Sequence, residues 1–92
     1  MNIISRKKIL EFVKKHNQAK IPLFAIYETL EKGNFRNSQE ITEAFPRSSA
    51  RRNNQIVFRV KGNAYRMIIQ FDYSRQIGFI KFVGTHAEYD KL

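Results

Sequence analysis

The chain has 92 residues, with 17 Lys and Arg against eight Asp and Glu, and its formal net charge at pH 7 is +9. It contains no cysteine, which excludes a disulfide framework and a thiolate metal site, and no apolar run approaches the ~20 residues of a membrane-spanning helix. We therefore expect residues 1–92 to form one small cytoplasmic domain that has a polyanionic partner and no contact with a membrane.

Two amphipathic helices are predicted in the first part of the chain. Ser5 can cap the first, which runs to about His16, and the second spans about Ala19–Lys32 and stops at Gly33. His16 lies in a last turn rich in cations, where it suits the helix dipole, so we do not expect it to be catalytic. The predicted buried stripes are Ile9, Leu10 and Val13 in the first helix and Leu23, Ile26, Tyr27 and Leu30 in the second.

A shorter third helix is predicted before Pro46, because Asn37 followed by Glu40 resembles a capping box. After an irregular "PRSSARRNN", the pattern changes to period two in "QIVFRV", "YRMIIQFDY" and "IGFIKFV", with a Gly-Asn turn in "KGNA". These segments predict an antiparallel meander, to which Asn2–Ile4 can add a short edge strand. The predicted fold class is α+β, with two to three N-terminal helices packed on one face of a small antiparallel sheet and a short C-terminal helix.

A basic, acid-free stretch lies between residues 43 and 72. Its cations are Arg47, Arg51, Arg52, Arg59, Lys61 and Arg66. Such a patch is typical of a protein that binds a polyanion. Alternation along the strands places Arg59, Lys61 and Arg66 on the sheet face away from the helices, with Lys81 as a further candidate. Like charges at this spacing repel one another unless an anion joins them, and the alternative is a solvated basic surface.

The segment "VGTHAEYDKL" at the end of the chain combines a helix start with candidate catalytic groups. Thr85 and Glu88 fit the S/T-x-x-E capping box. His86 and Tyr89 share one face of that helix, where an imidazole and a phenol beside a basic sheet can form an acid–base site. Asp90 lies on the same face. The alternative is that this segment is only the end of the fold.

No cofactor is expected. The acids after residue 43 are Asp72, Glu88 and Asp90, which form no cluster suited to Mg²⁺, and the two histidines are too far apart in sequence for a convincing Zn²⁺ site. No Gly-rich phosphate loop and no nucleophile elbow occurs. The sequence therefore predicts chemistry without a metal or an organic cofactor.

Two pieces of the chain, "VFRVKGNAYRMII" and "GFIKFVGTHAEYDK", resemble the HigB-type toxins of toxin–antitoxin systems, which belong to the RelE-like superfamily. "MNIISRK" and "ITEAFP" fit as well, so the resemblance covers nearly the whole chain. It implies a RelE-like fold and a ribosome-dependent mRNA endonuclease that inhibits translation. In that family the RNA 2′-hydroxyl attacks the adjacent phosphorus without a metal. The implied partners are mRNA on the ribosome and a HigA-like helix-turn-helix antitoxin, and operator DNA is contacted only through the antitoxin complex.

The resemblance also implies roles for single residues. Arg66 stands where RelE-like toxins carry a phosphate-contacting arginine. His86 follows V-G-T, where relatives carry His or Arg. Tyr89 lies near the position at which relatives carry a C-terminal tyrosine that is catalytic or stacks on a base. We expect these three residues to be catalytic, with the general acid and the general base unassigned. The residues expected to bind RNA are Arg51, Arg52, Arg59, Lys61 and Lys81.

Two alternatives to an enzyme stay open. In the first, the chain is a non-catalytic module whose basic sheet grips RNA or the ribosome without cleaving anything. In the second, which is weaker, it is a DNA-binding regulator. The second is disfavoured because the best amphipathic helix, Ala19–Lys32, uses its apolar face for the core, and no other helix resembles a recognition helix.

Overall fold

The computed structural model describes all residues 1–92 and consists of four α-helices and one five-stranded sheet. Three helices precede most of the sheet and a short one follows it, which confirms the predicted α+β class. A single 3-10 turn over Asn17–Ala19 joins the first two helices. In chain order the elements are β1 (Asn2–Ile4), α1 (Arg6–Lys15), α2 (Lys20–Lys32), α3 (Ser38–Ala44), β2 (Ser48–Ala50), β3 (Gln55–Val60), β4 (Tyr65–Asp72), β5 (Ile77–Thr85) and α4 (His86–Asp90).

The strands are ordered β1-β5-β4-β3-β2 across the sheet. The meander β3-β4-β5 is antiparallel, as predicted, and an unpredicted strand, β2, adds to β3 in the same sense. In contrast, β1 lies parallel to β5, with Ile3 opposite Gly78. The sheet is therefore mixed rather than purely antiparallel. A parallel neighbour is possible here because three helices and three strands separate β1 from β5 along the chain, which gives ample length for the crossover. None of the helices is long and apolar enough to cross a membrane.

Helices α1, α2 and α3 pack on one face of the sheet, as predicted. Alternate residues of β3 and β4 face them, and among these Ile56, Phe58, Met67 and Ile69 are at most 1% exposed. Together with apolar residues of the helices they form a cluster of 14 buried side chains. The predicted stripe of α1 is wrong at Leu10, which is 38% exposed.

The helix caps agree with the sequence patterns only in part. Ser5 occupies the N-cap position of α1, but its side chain makes no capping hydrogen bond, so its predicted role is wrong. Asn37 does cap α3, because its Oδ1 accepts from the Glu40 amide at 3.0 Å. The Glu40 carboxylate instead accepts from the backbone and side-chain nitrogens of Arg36 at 2.7 and 2.9 Å. These hydrogen bonds from Arg36 hold the pKa of Glu40 below its ordinary value.

Two local features decide which side chains reach the sheet face opposite the helices. Lys61 and Gly62 have φ angles of 52° and 68° and turn the chain between β3 and β4, so Lys61 lies outside the strand. In β5, Lys81 is an extra, bulged residue, because Ile68 and Ile69 of β4 pair with the residues on either side of it. Period-two alternation therefore cannot predict on which face of the sheet either lysine lies.

Candidate active site

Three rows of side chains cross the sheet face that points away from α1–α3, which we call the outer face. Each row holds one residue from β3, one from β4 and one from β5 that lie opposite one another in register. The rows are Arg59–Arg66–Gly84, Val57–Ile68–Phe82 and Gln55–Gln70–Phe79. Successive rows are two residues apart along β4, which is roughly 7 Å.

The first row places two arginines on the outer face, opposite each other in the register of β3 and β4. Arg59 lies directly opposite Arg66, and its Nη1 donates to Ser49 Oγ at 2.9 Å, which fixes its position. Neither arginine takes part in the ion pairs of the protein. The buried Nε of Arg66 has no hydrogen-bond partner. Because facing like charges repel and donors stay unused, this row is suited to an anion such as phosphate.

Helix α4 begins at a capping box, as predicted. Thr85 Oγ1 accepts from the Glu88 amide at 3.1 Å, and Glu88 Oε1 accepts from the Thr85 amide at 2.8 Å. This hydrogen bond from the Thr85 backbone is the main reason that the pKa of Glu88 lies below its ordinary value. The His86 amide donates to the Ala64 carbonyl at 2.9 Å, in the turn between β3 and β4. The start of α4 is thereby fixed beside the arginine row.

A chain of contacts then runs from Arg66 through His86 to Asp90. Arg66 Nη2 lies 2.9 Å from His86 Nδ1, and His86 Nε2 lies 3.2 Å from Asp90 Oδ2. A guanidinium can only donate, so Nδ1 must accept and carries no hydrogen in this arrangement. The hydrogen of the neutral ring is therefore on Nε2, which faces the carboxylate.

Tyr89 covers the middle of the outer face. The Arg66 Cζ atom lies 4.8 Å from the centre of the Tyr89 ring and the Arg51 Cζ atom lies 5.8 Å from it. On the other side the ring approaches Phe82, with 6.3 Å between centroids. Val57 and Ile68 of the second row are 4% and 3% exposed, although they lie outside the main core cluster. The phenol is thus held between cations and a small apolar patch.

The structure brings most, but not all, of the predicted site residues together. Those that meet at the first and second rows are Arg51, Arg59, Arg66, His86 and Tyr89. Lys61 instead lines a groove beside α2, and Lys81 lies over the Phe79 ring, with 5.8 Å between Nζ and the ring centre. Arg52 is exposed in the loop before β3. Lys61 follows the end of β3 at a positive φ, so strand alternation does not place it on the arginine face, and its binding to RNA stays a prediction.

Two residues near the site had no predicted role. Asp90 contacts His86, and the i, i+4 spacing between them is the signal that points to this contact. Ser49 positions Arg59, but no local pattern marks the strand in which it lies. His16 stays on the helical side, where its ring stacks on Phe12 with 4.4 Å between centroids. No three acidic or histidine side chains come together in a group that could hold a metal ion.

Comparison with known proteins gives a consistent result. Residues 19–92 match the family model of the HigB toxin, described as the RelE-like toxic component of a toxin–antitoxin system. The chain is 32% identical to an mRNA interferase HigB of Escherichia coli O6:H1 over 94 aligned positions, which cover all of this chain and 91% of the relative. It is 30% identical to an mRNA interferase toxin HigB of Escherichia coli K12 and to an mRNA interferase HigB of Shigella flexneri. Each of these two alignments covers 98% of this chain and 88% of the relative.

Proposed function

The chain belongs to the HigB toxin family, the RelE-like toxic components of toxin–antitoxin systems, and on this premise we propose that it is an endoribonuclease that cleaves mRNA on the ribosome. The observation that carries the proposal is the contact of 2.9 Å between Arg66 and His86, in a row of arginines that no carboxylate neutralises. A guanidinium in contact with an imidazole supports a pairing of a phosphate-binding cation with a proton-transferring group.

The proposed reaction is an internal phosphoryl transfer. The 2′-oxygen of one nucleotide attacks the adjacent phosphorus, the bond from phosphorus to the 5′-oxygen of the next nucleotide breaks, and a 2′,3′-cyclic phosphate and a 5′-hydroxyl result. One proton leaves the 2′-hydroxyl and another reaches the departing 5′-oxygen. Arg66, assisted by Arg59, stabilises the charge that develops on the non-bridging phosphoryl oxygens.

Binding of the phosphate also changes the state of His86. When Arg66 turns its Nη2 from His86 Nδ1 to a phosphoryl oxygen, Nδ1 is released and can accept a proton. Asp90, 3.2 Å from Nε2, stabilises the imidazolium that forms. Asp90 is therefore a positioning residue, whereas His86 transfers the proton. Tyr89 supplies a phenol for the second proton transfer and a ring on which a base can stack.

The proposed setting follows from the family. The chain acts in the cytoplasm on translated mRNA, a HigA-like helix-turn-helix antitoxin neutralises it, and only the complex of the two reaches operator DNA. We also propose that the chemical step needs no divalent metal. Glu88→Gln tests this last point, because a variant with an intact fold should cleave within about tenfold of the wild-type rate if Glu88 is not a metal ligand.

The test is cleavage of a reporter mRNA in a reconstituted translation mixture. We expect fragments with 2′,3′-cyclic phosphate and 5′-hydroxyl ends from the translated reporter, and none from the same RNA without ribosomes. Cleavage of free RNA at the same rate would contradict ribosome dependence. Arrest of translation with intact mRNA would instead support the non-catalytic binding module.

A further inference from the structure

A second feature of the outer face lies at the end away from the arginines. The third row, Gln55–Gln70–Phe79, borders a shallow pocket that is lined by Asn54, Gln70 and Phe79 and by the end of β4. Phe79 is 38% exposed, although it lies on a strand with neighbours on both sides, β4 and β1. The mechanism proposed above uses neither the aromatic ring nor the amides.

The side-chain amides around this ring belong to Asn54, Gln55 and Gln70, which are exposed or half-buried. Like other solvent-facing amides of the chain, they make no hydrogen bond within the protein, so their donors and acceptors are free for a ligand. Each such amide offers two N–H donors and a carbonyl acceptor, which are the groups that pair with the edge of a nucleobase.

The Phe79 ring and the Lys81 side chain are the other groups at or beside this pocket that can contact RNA. Phe79 offers an aromatic face of the kind on which bases stack, and Lys81 Nζ lies 5.8 Å from the ring centre. Asp72 also lines the pocket, but its carboxylate accepts from Ser74 Oγ and from the Arg75 amide. These hydrogen bonds, that of Ser74 first, lower the pKa of Asp72. Its carboxylate also pairs with Arg75, with 3.6 Å between Oδ2 and Nε. Because no lysine or arginine lines the pocket, it offers no cation to a phosphate and suits a neutral base.

We propose that this pocket is a subsite for one nucleobase of the bound RNA, which stacks on Phe79 and pairs through its edge with the amide of Gln70. The proposal rests on the proposed function, because the RNA strand is positioned by Arg66. Gln70 lies four positions after Arg66 along β4, which is roughly 13 Å. A single strand can therefore keep one phosphate at the arginine row and a nearby base at Phe79, with Lys81 beside its backbone.

The chain contains no tryptophan, so a Phe79→Trp variant carries a single indole in the subsite. The matched control is Ile21→Trp, at a position on α2 that is 82% exposed. The probe is a fluorescein-labelled, 2′-O-methylated RNA hexamer, which cannot be cleaved by 2′-hydroxyl attack. Binding is measured by fluorescence anisotropy, and an unlabelled hexamer of the same sequence serves for tryptophan quenching.

We expect the RNA to quench the indole of Phe79→Trp over the concentrations at which anisotropy rises, and to leave Ile21→Trp unchanged. Phe79→Leu should weaken binding about tenfold, the size of one lost base stack. Binding with no quenching at position 79 would overturn the subsite and leave the proposed function standing. If no variant bound the free hexamer, the subsite would be overturned as well, whereas the proposed function would still be tested by cleavage of a translated reporter on the ribosome.

A separate experiment tests whether Gln70 contacts the edge of a base. It measures the distribution of cleavage positions in a translated reporter. Gln70→Ala should redistribute the cuts among sequences, because the contact to the base edge is lost while the phosphate contacts remain. The control is Gln18→Ala, an exposed amide on the helical side, which should reproduce the wild-type pattern. An unchanged pattern in Gln70→Ala would show that Gln70 reads no base, whereas a reporter left uncut by the wild type would contradict the enzyme itself.

Discussion

The two faces of the sheet are formed by the same strands but differ in composition. One is apolar and buried, and the other carries arginines without carboxylate partners. On the helical face, Phe58 and Met67 are almost completely buried and join one continuous core. On the outer face, Arg59 and Arg66 lie opposite each other without a carboxylate, and Arg66 keeps a buried donor unpaired. The first arrangement lowers the free energy of the folded state, and the second raises it. The comparison indicates that the outer face is arranged for a ligand that brings negative charge.

The largest effect is expected from a substitution on the helical face. Phe58 is 1% exposed and its ring packs edge-on against Phe45, with 5.3 Å between centroids. Phe58→Ala should lower the free energy of unfolding by about 3–5 kcal/mol through the cavity that it leaves. Denaturant unfolding measures this loss. A stable Phe58→Ala protein would show that the helical face is not the main source of stability.

Removing the central cation of the outer face should have the reverse effect. Arg66→Ala should slow cleavage by about 10²–10³-fold, or 3–4 kcal/mol in the barrier, because the phosphoryl charge loses its donor. Its free energy of unfolding should stay the same or rise, since the repulsion from Arg59 is relieved. The control is Arg6→Ala on the helical side, which should cleave normally. A large loss of stability in Arg66→Ala would assign the arginine to the fold instead.

The two groups that can move protons are separated by a pair of variants. His86→Ala should lower the cleavage rate by about 10²-fold without lowering the melting temperature, because the imidazole is about half exposed. Tyr89→Phe keeps the ring and removes only the hydroxyl. A similar loss in Tyr89→Phe makes the phenol a proton donor, and a full rate makes Tyr89 a stacking residue. Full activity in both variants would remove α4 from the active site.

Asp90 is proposed to assist proton transfer by His86, and a variant of Asp90 tests this role. Asp90→Asn should reduce the rate about tenfold, or 1.4 kcal/mol, and should shift the pH dependence of cleavage, because a neutral amide stabilises the imidazolium less well. The pH–rate profile is the deciding measurement. If the rate fell with no change in the profile, Asp90 would act only through the structure of α4.

The smallest effect is expected at the capping box. Thr85→Ala should cost about 1 kcal/mol of stability, as lost N-caps do, with only a modest change in turnover. Thermal unfolding and cleavage rates of Thr85→Ala and His86→Ala, measured side by side, separate helix capping from catalysis in this segment. Equal effects on stability and turnover in both variants would show that its residues do not divide these functions.

The helical face could be predicted from the sequence more fully than the outer face. Periodicity located the three main strands and the apolar positions of α2, and the T-x-x-E pattern located the start of α4. The strand Ser48–Ala50 was missed, because three small residues carry no alternation. The parallel partner of β5 could not be foreseen either, since a strand of three residues has no pattern that sets its direction.

The outer face was predicted from both spacing and the family resemblance. Alternation placed Arg66 there, helical spacing paired His86 with Tyr89, and the resemblance added their roles; the three residues do lie together. Lys61 and Lys81 left the expected alternation, because a positive φ and a bulge are properties of backbone geometry that period-two counting cannot detect. Their binding to RNA stays a prediction, and so do the catalytic roles.

We propose that the arginine row and α4 form a nuclease active site. Mapping the 5′ ends of cellular mRNA tests this proposal. Wild type and Arg66→Ala are expressed in matched pulses, and the 5′-hydroxyl ends of all transcripts are sequenced. The account predicts new ends within translated regions for the wild type and their near-complete loss in Arg66→Ala. Translation arrest without new ends, or the same ends in both, would contradict it.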